Sequence, residues 1–267
     1  MKSGRKMRSN CWICRGEANS AEHRIKKADL VRAYGKGAFF GSSAPLHIRG
    51  TTVSPVRGPG AKSLKYHTSL CAACNNSGTQ PYDLAYDKFM EWVWSNETLV
   101  LQRRCIDFEN VYGRNFEESQ RNLFKYFVKS LGCRLVDAGE PVPGDLLALL
   151  PVNSFRTALK ITFCVNEDIL LMPRDSRSRF IGKGDLFAWR NEDGSDSLCG
   201  YTWDEHVSWL TVTYWYNRYP SGELGSAWIA NSQFIYLGSM APLSDSDRAE
   251  VTAKMRRDPM DELAGQE

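Results

Sequence analysis

Three absences narrow what this chain of 267 residues can be. No run of about 18 apolar residues occurs, so no membrane-spanning helix is expected. No apolar core follows the opening Met1-Lys2-Ser3-Gly4-Arg5-Lys6-Met7-Arg8, so a secretory leader is not expected either. A cytoplasmic chain keeps its eight cysteines reduced, and paired cysteines then read as metal ligands rather than disulfides. The third absence is of acids: none stands between Asp29 and Asp83. Residues 1–74 hold fourteen Lys or Arg against three acids, a net +11, while the remainder holds twenty against twenty-eight, a net −8. A basic block confined to one end points to a polyanionic partner, and nucleic acid, probed through its phosphates, is the usual one. There is no internal repeat and no low-complexity run.

What stands out within that block is a pair of knuckles, Cys11-Trp12-Ile13-Cys14 and Cys71-Ala72-Ala73-Cys74. Four thiolates can enclose one Zn²⁺ in a tetrahedron, with no position left for water, so such a metal is structural. Chemistry then has to come from neighbouring groups. Glu22-His23 lies between the knuckles and Asn75 directly follows the second. A neutral imidazole accepts a proton near pH 7. A carboxylate and an amide oxygen suit a hard cation such as Mg²⁺ or Mn²⁺. In a regular strand Glu22 and His23 would point to opposite faces, so a bend is expected there. Asn76 reads as a helix cap, Asp83 as an acid favouring a helix N-terminus, and His67 as a half-exposed strand residue. Arg24, Lys26 and Lys27 are expected on phosphates, which position a nucleic acid without reading its sequence. Residues 1–10 read as a basic arm. Cys105, Cys133, Cys164 and Cys199 read as small buried side chains.

Periodicity supplies the elements. Ala28–Tyr34 gives two helical turns. The stretch 35–61 holds six glycines and three prolines and reads as a looped insertion with short extended pieces at Leu46–Arg49 and Thr51–Ser54. Glu22–Ile25 and Lys62–Leu70 read as strands. Pro81 opens a helix running to about Ser95, with Tyr82, Ala85, Phe89 and Trp92 or Val93 at helical spacing. Residues 98–110 favour neither helix nor strand. Glu117–Leu131 is a helix ended by Gly132. A short helix at Asp145–Leu150 follows. Strands are then expected at Leu159–Val165, Ile169–Met172, Phe180–Ile181, Leu186–Trp189, Leu198–Thr202, Val207–Asn217 and Ala227–Leu237. Arg218–Gly225 is a hairpin connection, and residues 241–267 read as a frayed helix or a polar tail. The expected fold is α+β: a zinc-stabilised module over 1–97, then a domain over 98–267 that turns strand-rich after 155.

The order Cys-x-x-Cys, Glu-His, Leu-Cys-x-x-Cys-Asn-Asn and a following helix resembles the HNH (ββα-metal) nucleases over roughly residues 9–95. It is most similar to their four-cysteine branch, that of recombination endonuclease VII. The resemblance implies an endonuclease acting on DNA. In it His23 is the general base, Glu22 and Asn75 hold the catalytic Mg²⁺, and Cys11, Cys14, Cys71 and Cys74 hold structural zinc. Glu22 stands where the family often has Asp, and no asparagine lies between His23 and Cys71. Appended HNH modules resemble effectors of phage-defence systems. The competing expectation is a non-catalytic zinc-stabilised module that binds nucleic acid or serves as an adaptor in a larger complex. Residues 98–267, rich in Trp and Tyr, are expected to meet a protein partner or the substrate.

Overall fold

A computed structural model describes residues 10–41, 44–49, 52–152, 156–191, 198–218 and 227–256. The basic arm, apart from Asn10, and most of the Arg218–Gly225 connection lie outside them. The architecture is α+β. At its centre is α6, Phe116–Asp137, which at 1.5 Å per residue is about 33 Å long. Every residue from Leu123 to Cys133 is buried, Lys125 and Lys129 included. The α3 helix, Gln80–Ser95, lies against it and buries Ala85, Tyr86, Phe89, Met90 and Val93, close to the predicted face.

Both helices pack on a seven-stranded sheet. Its strands are β3 (Cys105–Asp107), β4 (Leu159–Val165), β5 (Ile181–Lys183), β6 (Phe187–Arg190), β7 (Leu198–Val207), β8 (Leu210–Asn217) and β9 (Phe234–Ser239). The order is β3-β9-β4-β8-β7-β5, with β6 pairing the same strand, β7, as β5 does. Only β4–β9 is parallel. In β4 the burial alternates strictly, so Leu159, Ile161, Phe163 and Val165 face the helices. Phe127 of α6 meets Phe163, Tyr214 and Trp228 in edge-on contacts at centroid distances of 5.8–6.4 Å. One buried cluster runs from Cys11 and Trp12 to Leu237, across the position of the expected 97/98 boundary.

Several expectations need correcting. The segments around Glu22–Ile25 and Lys62–Leu70 are not continuous strands. They meet at isolated antiparallel bridges, Ser20 with Leu70 and His23 with Lys65. Three residues on one side face five on the other, and a 3₁₀ turn takes up Lys62–Leu64. Ile169–Met172 is not a strand: α8, Glu167–Leu170, forms there because the Asn166 side chain accepts the Ile169 N–H and caps a single turn. Gly132 does not end α6. The unassigned stretch resolves into α4 (Glu97–Arg103), β3 and α5 (Phe108–Tyr112). The predicted strand Val207–Asn217 breaks at Ser208, whose φ of +54° turns the chain from β7 into β8. The polar end, for which a helix is one of the two expectations, forms α10, Asp245–Arg256.

The insertion makes its own arrangement. The β1 (Leu46–Arg49) and β2 (Thr52–Pro55) strands pair as a hairpin. Val56 and Leu64 pack on Leu30 of α1 (Lys27–Tyr34) in a small cluster separate from the main core. No helix among the described residues is long and apolar enough to cross a membrane.

Candidate functional site

The first knuckle is a tight turn. Arg15 donates its N–H to Cys11 O at 2.8 Å and takes φ +65°, and Cys11 donates back to Gly16 O. The second is a helix start. Cys71 caps α2 (Ala72–Asn75), and its sulfur accepts the Cys74 N–H at 3.3 Å. That N–H, with the Cys74 thiol next, lowers the Cys71 thiol to about 7, favouring thiolate at neutral pH. The bridge between Ser20 and Leu70 and the bond from Trp12 N–H to Ser69 O bring the two knuckles together. All four Sγ atoms of Cys11, Cys14, Cys71 and Cys74 lie within 4.8 Å of one another, with Cys14 and Cys71 3.6 Å apart. Zinc–sulfur bonds of about 2.3 Å set sulfur–sulfur edges of about 3.8 Å in a tetrahedron. The four thiols can therefore hold a metal ion such as zinc.

The knuckle is seated on α6. The Trp12 ring lies over Gly132, where a Cβ would stand 2.5 Å from two of its carbons. Glycine at 132 is thus a requirement of docking, not of helix termination.

Beside the thiols, Asn75 donates through Nδ2 to Ser20 Oγ at 2.8 Å. Its Oδ1 is buried without a hydrogen-bond partner among the described residues, as is Nε2 of His23. Ser20 and His23 are three residues apart on one extended stretch, so Asn75 reaches the chain within about 10 Å of His23. Burial, followed by the nearby Lys65, lowers the His23 pKa below its usual 6.5, and the imidazole is neutral at pH 7.

No protein family, curated protein or solved structure matches the chain. Its chemistry has to be read from the residues themselves.

The Glu22 carboxylate is doubly engaged. Oε1 accepts the His23 N–H at 2.9 Å and Oε2 accepts from Lys129 Nζ at 2.6 Å. Lys129 also donates to Asp83 Oδ2 at 3.1 Å, and Lys26 holds Asp83 Oδ1 at 2.5 Å. Asp83 therefore bridges two lysines rather than only facing a helix dipole. Burial disfavours the Lys129 charge, but Glu22 and Asp83 outweigh it, and its pKa is raised.

Two of the three cations expected on phosphate are committed within the protein. Arg24 pairs with Asp137 at 2.7 Å and lies 4.6 Å over the Tyr66 ring. Lys26 is held by Asp83 and packs near Tyr126. Lys27 is exposed. Asp137 also accepts from His67, through N–H at 3.0 Å and Nδ1 at 2.8 Å. Burial alone would raise its pKa, but the His67 N–H and Arg24 bring it below the usual carboxylate value.

Sequence reasoning missed Lys129 and Asp137. A signal for the first was present: Phe124 to Cys133 is apolar almost all round, so a lysine inside it must find a buried partner. Of the aromatic residues in 98–267, Trp203, Trp209, Trp228, Tyr214 and Tyr216 are core, whereas Trp189 on β6 stands 55% exposed. Tyr219 lies outside the described residues. Cys133 is buried as expected, and Cys105, Cys164 and Cys199 are only partly so.

Proposed function

We propose that the chain is a metal-dependent endonuclease of the HNH (ββα-metal) type that hydrolyses phosphodiester bonds in DNA. The reading rests above all on the order of the thiol pairs, Glu22-His23 and Asn75, and is supported by His23 Nε2 and Asn75 Oδ1, two of ten buried polar side-chain atoms without a hydrogen-bond partner among the described residues. Buried polar groups are normally satisfied, so such a pair suits a site completed by something bound. In this reading residues 20–23 and 65–70, bridged at Ser20–Leu70 and His23–Lys65, together with α3 stand for the two strands and helix of the module, with zinc on Cys11, Cys14, Cys71 and Cys74 as its staple.

The donor types suit a hard cation: Asn75 Oδ1 is an amide oxygen without a partner among the described residues, and Glu22 is a carboxylate that would have to give up Lys129 at Oε2 to bind it. Glu22 and Asn75 would hold Mg²⁺ or Mn²⁺, which when bound supplies positive charge against the phosphate and the departing oxygen. His23 is neutral at pH 7 and takes a proton from the attacking water at Nε2. The Glu22 carboxylate, by accepting the His23 N–H, fixes the backbone that carries the imidazole. Exposed Lys27 is the cation best placed for phosphate.

The test is cleavage of plasmid DNA, with RNA in parallel, across Mg²⁺ and Mn²⁺. His23→Ala should lower the rate by roughly 10²- to 10⁴-fold with zinc content and melting unchanged. The wild-type rate should fall on the acid side as His23 charges, with its midpoint below the ordinary imidazole value because burial and Lys65 lower the His23 pKa. Undiminished cutting by His23→Ala would remove the mechanism. A second reading, a non-catalytic zinc-stabilised nucleic-acid-binding or adaptor module, is favoured by the internal pairing of Glu22, Arg24 and Lys26. A chain that binds DNA but cuts nothing with any metal would establish it.

A further inference from the structure

The feature the nuclease reading does not use is the ammonium on Glu22. Lys129 reaches it from the middle of α6, outside the knuckle module, and is only 2% exposed. Its Nζ lies 2.6 Å from Glu22 Oε2 and 3.1 Å from Asp83 Oδ2. We propose that Lys129 is a built-in cation that competes with the divalent metal for Glu22, so that the site rests in a self-neutralised state and takes up metal only as that ion pair is given up. The proposal builds on the nuclease reading in one respect, that Glu22 is a metal ligand.

The argument is one of charge and seating. Glu22, Lys129, Asp83 and Lys26 alternate in sign along one chain, with Asp87 3.8 Å from Lys26 at its far end, so the charge on Glu22 is met directly by Lys129. A hard divalent cation is drawn by an excess of carboxylate, and here the carboxylate it needs is already matched. A dication on Glu22 would also stand within a few ångströms of a buried like charge that solvent screens poorly. The resting state is no trap, because Lys129 has a second seat. When Oε2 is given up, the ammonium keeps Asp83, which Lys26 holds in place at 2.5 Å. Lys129 cannot escape to water instead. It lies on a fully buried stretch of α6, near Cys133 one turn on, and that next turn is pinned by Trp12 over Gly132. The competing charge is therefore fixed beside the site, and α6 becomes part of the control of metal uptake. Lys129 acts through Glu22 and is a positioning residue, not a catalytic one.

The test is Mn²⁺ binding to the zinc-loaded full chain, read by the electron paramagnetic resonance signal of free Mn²⁺, so that no turnover is needed. Lys129→Met and the more conservative Lys129→Gln are compared with the wild type, each with zinc content and circular dichroism as a check on folding. Both should bind Mn²⁺ more tightly by roughly tenfold or more, the effect of removing one like charge at a partly screened contact. Adding Glu22→Gln should cancel the gain. If Glu22→Gln weakens Mn²⁺ binding in the wild type but neither Lys129 variant tightens it, the competition is refuted while Glu22 remains a ligand. If Glu22→Gln changes binding in no background, Glu22 is not a ligand, and the metal assignment falls together with the competition.

Discussion

The contact between Trp12 and Gly132 makes a prediction whose sign opposes intuition. Glycine in a helix interior costs about 1 kcal/mol relative to alanine, so Gly132→Ala within α6 would ordinarily stabilise. Here the new methyl would stand 2.5 Å from two carbons of the Trp12 ring and 3.0 Å from a third. Carbon pairs are comfortable near 3.5–4.0 Å, so the ring must retreat by about 1 Å. It has little freedom to do so, being 3% exposed and tethered between Cys11 and Cys14. Overpacking a tight core costs about 1–3 kcal/mol and more when the neighbour cannot move. Taking the upper end, about 3 kcal/mol, for a contact this short and subtracting the propensity gain of about 1, the net is a loss of about 2 kcal/mol. For a chain of this size that lowers Tm by about 4–8 °C. The assay is thermal and urea unfolding of the zinc-loaded protein, with zinc content measured alongside. The decisive arm is a cycle with Trp12→Leu, which removes the ring. In that background Gly132→Ala should become neutral or stabilising by up to about 1 kcal/mol. A Gly132→Ala protein at least as stable as the wild type, with Trp12 intact, would refute the seating of the knuckle on α6.

Other outcomes follow from the same geometry. Cys14→Ser should lose its metal and several kcal/mol of stability; one full equivalent of retained zinc in a dithiol-competition assay would mean a different ligand set. Lys183→Met should cost about 3 kcal/mol by leaving the buried Glu205 charge, 2.6 Å from Lys183, with no opposite charge and the Ser130 hydroxyl on Oε1, and adding Glu205→Gln should restore much of it. A single variant as stable as the double would show that the pair matters little. Asp29, fully buried, has its pKa raised to about 6 by burial against the pull of Arg32 and Tyr86. A raised acid holds its proton more tightly when folded, so its contribution is greatest below about pH 4 and declines as pH rises through 6. Between pH 5 and 7 the stability of Asp29→Asn should gain on that of the wild type by about 1 kcal/mol, and a constant difference across that range would contradict the shift.

Much of the α+β outline was legible because it rests on local pattern. The α3 helix, the body of α6, β4 and the insertion hairpin each carry a period or turn signal that tertiary packing then satisfied. Four residues at Ile169–Met172 carry too little period to separate a strand from a turn of helix, and Asn166 decided the matter. The stretches around His23 and Lys65 are apolar–polar mixtures that touch only at separate bridges, so strand-like composition overstated their regularity. Within the candidate site, the thiol cluster was legible from spacing alone. The partners of Glu22, Arg24 and Lys26 were not, because Lys129 and Asp137 lie more than a hundred residues away and Asp83 about sixty. A basic run in the sequence gave no hint that its charges would be consumed indoors.

The insertion keeps its small apolar cluster of Leu30, Val56 and Leu64 apart from the main core. Its opening would expose only those few side chains, so it should unfold and refold as a unit of its own while the sheet stays shut. Amide exchange ought to run faster across the hairpin than in α6 or β8, and a limited protease should nick there first. That independence also makes this segment the natural place for length to vary, since residues can be gained or lost without disturbing the thiols on either side.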